Sequence, residues 1–248
     1  MARTRSKKQS EVKRAIETIR EFILEGKLRD IQKFPSESKL AEDLGMSRLT
    51  VREALIVLEN EGYITRRQGS STVVTTFARK LTGKIDKAGE LGSLITDTGH
   101  KLKVDNISWS WETSTKEQAE ALNISEGEEL LVVKKRFLAD TTPAAYCVNR
   151  IPRSYLEGVE FSVQDLAEHI FTFIEEQCDL NFSHDFMEVV PSITDENLSD
   201  VLDLEYHTPL LRFDITKHTI QGDAIMYNTD YYVHDLIKFT ASRTISHS

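Results

Sequence analysis

Near residue 50 the chain places Ser47, Arg48, Thr50 and Arg52 at the start of a helical pattern, and these types could bind a polyanion. Val51, Ala54, Leu55 and Leu58 recur at i, i+3, i+4 and i+7, so they form one apolar stripe. Arg48, Thr50 and Arg52 are expected on the opposite side near the helix start. Ser47 is a capping type whose oxygen accepts an orphan backbone N–H. A guanidinium offers a planar fork of donors that fits guanine O6 and N7, or two phosphate oxygens. An ordinary amphipathic helix with a solvated polar face would carry the same residues. Its neighbours must decide.

A helix over Ser10–Glu25 is expected from Val12, Ala15, Ile16, Ile19, Phe22 and Ile23, with Gly26 at its stop. Phe34-Pro35-Ser36-Glu37 follows, where Ser36 can cap a helix carrying Leu40, Ala41 and Leu44 and ending at Gly45. Two short helices joined through a Gly-containing turn match a helix-turn-helix. Behind them, Tyr63–Arg67 and Thr72–Thr75 have strand character around a Gln68-Gly69-Ser70-Ser71 turn, which makes a wing. Arg66 and Arg67 lie beside its tip, and Gly69 lets backbone approach a phosphate or the minor groove.

Charge divides the chain in the same way. Residues 1–80 hold 17 Lys+Arg against 11 Asp+Glu, a net of +6, whereas 81–248 hold 14 against 29, a net of −15. A basic head on an acidic body implies that the head alone meets a polyanion. Arg3, Arg5, Lys7 and Lys8 could add a phosphate-tracking arm, or simply be solvated. Two cysteines cannot build a disulfide framework or a four-ligand zinc site. No apolar run is of membrane-spanning length, and no apolar segment follows the charged N-terminus as in a secretory signal. The expected location is cytoplasmic.

Residues 77–92, with Gly83, Gly89 and Gly92, are expected to link a head at 1–76 to a body at 93–248. The body shows self-similarity at an offset of 80. Ala121-Leu122, Ile124 and Leu130-Leu131 recur as Val201-Leu202, Leu204 and Leu210-Leu211. Each copy predicts a helix capped by Ser114 or Thr194, then two strands, near 129–139 and 144–151 in the first and 208–219 and 224–233 in the second. A helix over Val163–Glu176 and a strand over 183–190 lie between. The fold class is therefore α+β in two domains, the second built on an antiparallel sheet.

The head resembles the winged helix-turn-helix of the GntR family of bacterial regulators. The resemblance rests on Phe34-Pro35-Ser36-Glu37, Leu44-Gly45-Met46-Ser47-Arg48, Thr50-Val51-Arg52-Glu53-Ala54-Leu55, Glu61-Gly62-Tyr63-Ile64 and Arg67-Gln68-Gly69. It implies DNA contacts from Ser47, Arg48, Thr50, Arg52 and Gly69, with Ser36, Lys39, Arg66 and Arg67 as further candidates. The family usually has Arg where this chain has Ser38, and Gly where it has Ser71; Lys39 or the basic N-terminal tail could replace the missing charge. The body, over about 93–240, is similar to the UTRA effector-binding domain of the HutC-like branch, a fold related to chorismate lyase. Leu130–Val133, Leu138-Ala139-Asp140, Pro143-Ala144, Phe173–Glu176, Thr208–Leu211 and Lys238-Phe239 carry that likeness.

That likeness implies a homodimer on a palindromic double-stranded operator, with a small-molecule effector in a pocket whose usual residues have changed here. At the family's effector positions stand Lys135, Phe137, Cys147, His169, Met226 and Tyr232, with Arg136, Asn149 and Asp230 nearby. Lys135, His169 and Tyr232 could hold a sugar phosphate or other small anion. Phe137, Cys147 and Met226 are equally core types. No phosphate loop, metal-ligand spacing or nucleophile elbow is present, so neither cofactor nor metal is expected. Two alternatives stay open here. One is an enzymatic body with a Cys147–His169 pair, and the other is a DNA binder without effector.

Overall fold

The computed structural model describes residues 2–25 (backbone only for 2–10), 34–66, 72–78, 85, 91–167, 170–241 and 243. Arg67, Gly69, His169 and the Gly26 stop lie outside them. The chain forms two compact units, Met1–Lys87 together with Phe239–Ser248, and Ala88–Lys238.

The first unit contains α1 (Ala2–Leu24), α2 (Glu37–Leu44), α3 (Arg48–Asn60) and the antiparallel pair β1 (Ile64–Thr65) and β2 (Val73–Val74). Helix α1 begins eight residues before the expected Ser10, so the basic N-terminal segment is helical backbone continuous with it. Ala15, Ile19 and Ile23 of α1 pack with Leu40 and Ala41 of α2 and with Val51, Ala54, Leu55 and Leu58 of α3. Each large side chain so buried contributes about 1.5–3 kcal/mol. Gly45, at φ +63°, ends α2 in the left-handed conformation, and its N–H reaches Ala41 O and Glu42 O. That tight stop is what lets α3 start only three residues later.

The second unit opens with α4 (Leu91–Thr96) and holds β3 (Leu102–Thr113), α5 (Lys116–Leu122), β4 (Glu129–Ala139) and β5 (Thr142–Pro152). After a 3-10 turn come α6 (Val163–Ala167), α7 (Ile170–Cys178), β6 (Phe182–Ile193), α8 (Glu196–Leu202), β7 (Pro209–Thr219) and β8 (Ala224–Tyr232). The strands make one antiparallel sheet ordered β3-β4-β5-β8-β7-β6. Each repeat thus supplies three adjacent strands, and β5 and β8 form the seam. Strand β3 was absent from the sequence-based expectation, and the expected 163–176 helix is recorded as α6 and α7.

Backbone detail repeats at the same offset of 80. Asn123 and Asp203 end α5 and α8 in left-handed conformations, and Gly127 and His207 again have positive φ, +86° and +63°. The caps fall one residue later than expected. Thr115 and Asp195 accept from Gln118 N and Leu198 N, while Ser114 and Thr194 are buried and donate to Ser125 O and Glu205 O. These hydroxyls tie the loop after each helix back to its start.

Helix α5 packs against β8 and α8 against β5, so each half covers the other's inner strand. Leu122, Leu198 and Leu202 meet Leu130, Val132, Tyr146, Val148 and Tyr227 on that face. On the other face Leu166, Ile170 and Ile174 of α6 and α7 meet Leu131, Val133 and Met226.

Gly127 offers a test of the repeated turn. A Cβ built there meets nothing within 4 Å, so Gly127→Ala costs only the left-handed conformation, about 1 kcal/mol. Urea unfolding is expected to show that loss as a lower midpoint with an unchanged slope.

Candidate functional site

The exposed end of α3 is built by two caps and one carboxylate. Ser36 accepts from Lys39 N at 3.2 Å, and Ser47 accepts from Thr50 N at 3.1 Å, so these two hydroxyls begin α2 and α3. Thr50 departs from the expectation of an exposed contact. It is 2% exposed, and its hydroxyl shares a 2.8 Å hydrogen bond with that of Ser47. Four residues before Ala54 and eight before Leu58, it belongs to the buried stripe.

Arg48 and Arg52, one helical turn apart, are exposed. Arg52 directs Nε and Nη2 at Glu37 on α2, at 3.0 and 2.8 Å from Oε2. Arg66, just after β1, lies 3.7 Å from Glu37 Oε1 and donates from Nε to Glu59 Oε2 at 2.8 Å. Its backbone N–H also donates to Glu59 Oε1. The hydrogen bond from Arg52, joined by the charges of Arg52, Arg66 and Arg48, holds the Glu37 carboxyl below its usual range. Lys39 is exposed and pairs with Asp43 at 2.8 Å and Glu42 at 3.3 Å. Glu37 and Glu59 thus hold Arg52 and Arg66, Lys39 pairs within α2, and Arg48 adds its charge near Glu37. Glu37 and Glu59 were not foreseen, because their partners are 15 and 7 residues away along the chain.

In the second unit the expected effector residues Lys135, Phe137, Cys147, Asp230 and Tyr232 share one sheet face. Pairing sets Lys135 opposite Cys147, Cys147 opposite Asp230, and Asn149 opposite Asn228. Asn149 faces Val133 as Asp230 faces Phe213, and positions 133 and 213 are 80 apart. Cys147, Asn149, Asn228 and Asp230 are thus a two-by-two block at the pseudo-twofold centre of the seam. All four are buried, as are Lys135 and Tyr232.

Lys135 Nζ donates to Leu166 O at 3.2 Å, at the C-terminal end of α6, and sits 5.9 Å from the ring centre of half-buried Phe137. Tyr232 donates to Asp230 Oδ2 at 3.3 Å. Among the described residues, Oδ1 of Asn149, Asn228 and Asp230 has no hydrogen-bond partner. A buried unpaired acceptor costs ~1–3 kcal/mol, so three on one face are an unusual concentration of unmet polarity. Asn228 was missed in the sequence, although it lies two residues from Asp230 and so on its face.

Burial pushes the Asp230 carboxyl up to about 6, against hydrogen bonds from Cys147 and Tyr232 and the charges of Lys217 and Lys135. Burial, with the nearby Asp230 charge, pushes the Cys147 thiol well above its ordinary value, which suits a core thiol and not a nucleophile. Arg136 is not part of this block. It lies on the other face, bonded to Asp105 at 2.7 Å and to Val201 O. Met226 is fully buried with the α6–α7 cluster, as a core type should be. Among the described residues no group of His, Cys, Asp and Glu could hold a metal ion.

Asp230 predicts a pH-dependent stability. Its folded carboxyl titrates above the unfolded value of 3.8, so folding loses stability as pH rises from about 4 to about 6, by about 3 kcal/mol in all. Asp230→Asn removes this cost. Its gain in melting temperature at pH 8 is expected to be about twice that at pH 5. An equal gain at both would mean that the carboxylate is not desolvated.

Comparison with known proteins agrees with both units. Residues 11–74 match the gntR family of bacterial regulatory proteins, and residues 97–238 match the UTRA domain. The chain is 27% identical over 226 residues to the HTH-type transcriptional repressor NagR of Bacillus subtilis, covering 90% of each. It is 25% identical over 235 residues to the mannosyl-D-glycerate transport/metabolism system repressor MngR of Escherichia coli, covering 90% of this chain and 91% of that one. The crystal structure of YydK from Bacillus subtilis shares the fold at a TM-score of 0.74 and 21% identity, over 94% of this chain and 99% of that one. These relatives are regulators, which sets aside the enzymatic reading of the body. The chain belongs to the GntR family of bacterial regulatory proteins, as a DNA-binding transcription regulator with a C-terminal UTRA domain.

Proposed function

We propose that the protein is a homodimeric repressor that binds a palindromic operator and releases it when a small metabolite occupies the polar seam of the sheet. On this reading Arg48, Arg52 and Arg66 contact base edges or phosphates, and Lys39, Arg67 and Gly69 are further candidates. Ser36 and Ser47 present the helix N-termini to the backbone. Thr50 supports the helix start. Two proteins of similar length to which the chain is related are themselves named repressors. A cytoplasmic location fits this role, and no helix among the described residues is long and apolar enough to cross a membrane.

The observation that carries the effector half is the trio of unpartnered oxygens on Asn149, Asn228 and Asp230. All three are acceptors, so the occupant brings O–H or N–H donors, as a sugar or an amine does. That favours a hydroxyl- or amine-bearing metabolite over one recognised mainly through an anionic group. Lys135 and Lys217 both bring charge to this face, and Lys217 is already paired with Asp185 at 2.8 Å. By linkage, an effector that weakens operator binding is itself bound less tightly on the operator, by the same factor.

Two measurements test the proposal. In anisotropy titrations against duplex from upstream of its own gene, Arg48→Ala is expected to cost ~1–3 kcal/mol of binding without loss of fold. A thermal-shift screen of sugars, sugar phosphates, amino acids and organic acids is expected to find stabilising compounds that also release the duplex. Tyr232→Ala should abolish that release while leaving operator binding intact. Stabilising compounds that leave operator affinity unchanged would refute the induction step.

A further inference from the structure

Glu37 places a negative charge on the surface that meets DNA, where it repels phosphate. In the first turn of α2 a carboxylate complements the helix dipole, while Leu40 and Ala41 supply the buried contacts. Its carboxylate is only partly exposed, and it is ringed by the charges of Arg52, Arg66 and Arg48 from α3 and the end of β1. The contact with Arg52 uses one edge of the guanidinium, Nε and Nη2. The other end, with both hydrogens of Nη1 and one of Nη2, is left facing away from Glu37. That end has the spacing to make two parallel hydrogen bonds to an acceptor pair such as guanine O6 and N7.

We propose that Glu37 is a positioning residue for DNA recognition: it fixes the Arg52 fork in one orientation, giving up phosphate attraction to gain sequence discrimination. The proposal rests on the DNA-binding role of α3. A free arginine side chain carries several rotamers and can satisfy itself on any phosphate, which raises affinity for all sequences alike. Held by a carboxylate along one edge, it presents a planar pair of donors to whatever base edge lies opposite. The ordering cost is met before binding, as in other pre-organised sites. Glu59 does the same for Arg66 from α3, through both its backbone N–H and its Nε.

The test uses the full-length protein, a duplex that it selects from a random-sequence pool, and a scrambled duplex of the same composition. Glu37→Gln keeps the side-chain shape and removes the charge. It is expected to weaken binding to the selected duplex about tenfold. It should also tighten binding to the scrambled duplex about threefold at low salt. In an Arg52→Lys background, which has no fork to orient, Glu37→Gln should cause no further loss of discrimination. Equal tightening on both duplexes would overturn the proposal, since Glu37 would then act only as a repulsive charge. An undiminished loss of discrimination in the Arg52→Lys background would also overturn it, because Glu37 would act through something else. If the wild-type protein selected no duplex, the DNA-binding reading itself would fall, a result distinct from either of these.

Discussion

The pairing of β5 with β8 is the one ladder that joins the two copies of the repeated unit into a single sheet. Its centre is where apolar packing would stabilise the unit most, yet Cys147, Asn149, Asn228 and Asp230 occupy it. Tyr232 and Cys147 satisfy only part of this polarity, through Asp230. The cost is carried by the surrounding packing. Leu131, Val133, Leu166, Ile170 and Ile174 close one face, and the crossed α5 and α8 close the other. On the proposed reading, a small polar molecule at this seam, polar at its middle and apolar around it, would touch both halves of the fold.

The same tension between stability and function marks the first unit. Its three helices bury a conventional apolar core, while its exposed edge gathers Arg48, Arg52 and Arg66 around Glu37 and Glu59. Exposed ion pairs add little to stability, so these contacts are better understood as holding orientation. Pairing leaves the net charge of +6 over residues 1–80 unchanged. The acidic body carries the opposite balance.

Much of this was legible in the sequence where the signal is local. The 3.6-residue spacing of Val51, Ala54, Leu55 and Leu58 located α3, and Ser36, Gly45 and Ser47 bounded the helices as cap chemistry requires. The offset of 80 located the repeat, and the repeat predicted an antiparallel sheet. Thr50 was placed on the wrong side, although its spacing from Ala54 and Leu58 puts it on their stripe. Strand β3 escaped notice because a bulge between Asp105 and Ser108, with Asn106 at φ +49°, resets its alternation. Its partner in the repeat, β6, was found, and subtracting the offset would have located β3. What no local signal carries is pairing across the chain. Glu37 with Arg52 and Asn149 with Asn228 meet only once the helices and the seam are assembled.

Hydrogen exchange read by mass spectrometry on the full chain, with and without duplex from upstream of its own gene, tests the central claim most directly. New protection should concentrate at the N-terminal turns of α2 and α3 and around Arg66, over 36–39, 47–52 and 64–66. Protection confined to 88–238, with those segments exchanging as in the free protein, would contradict the account.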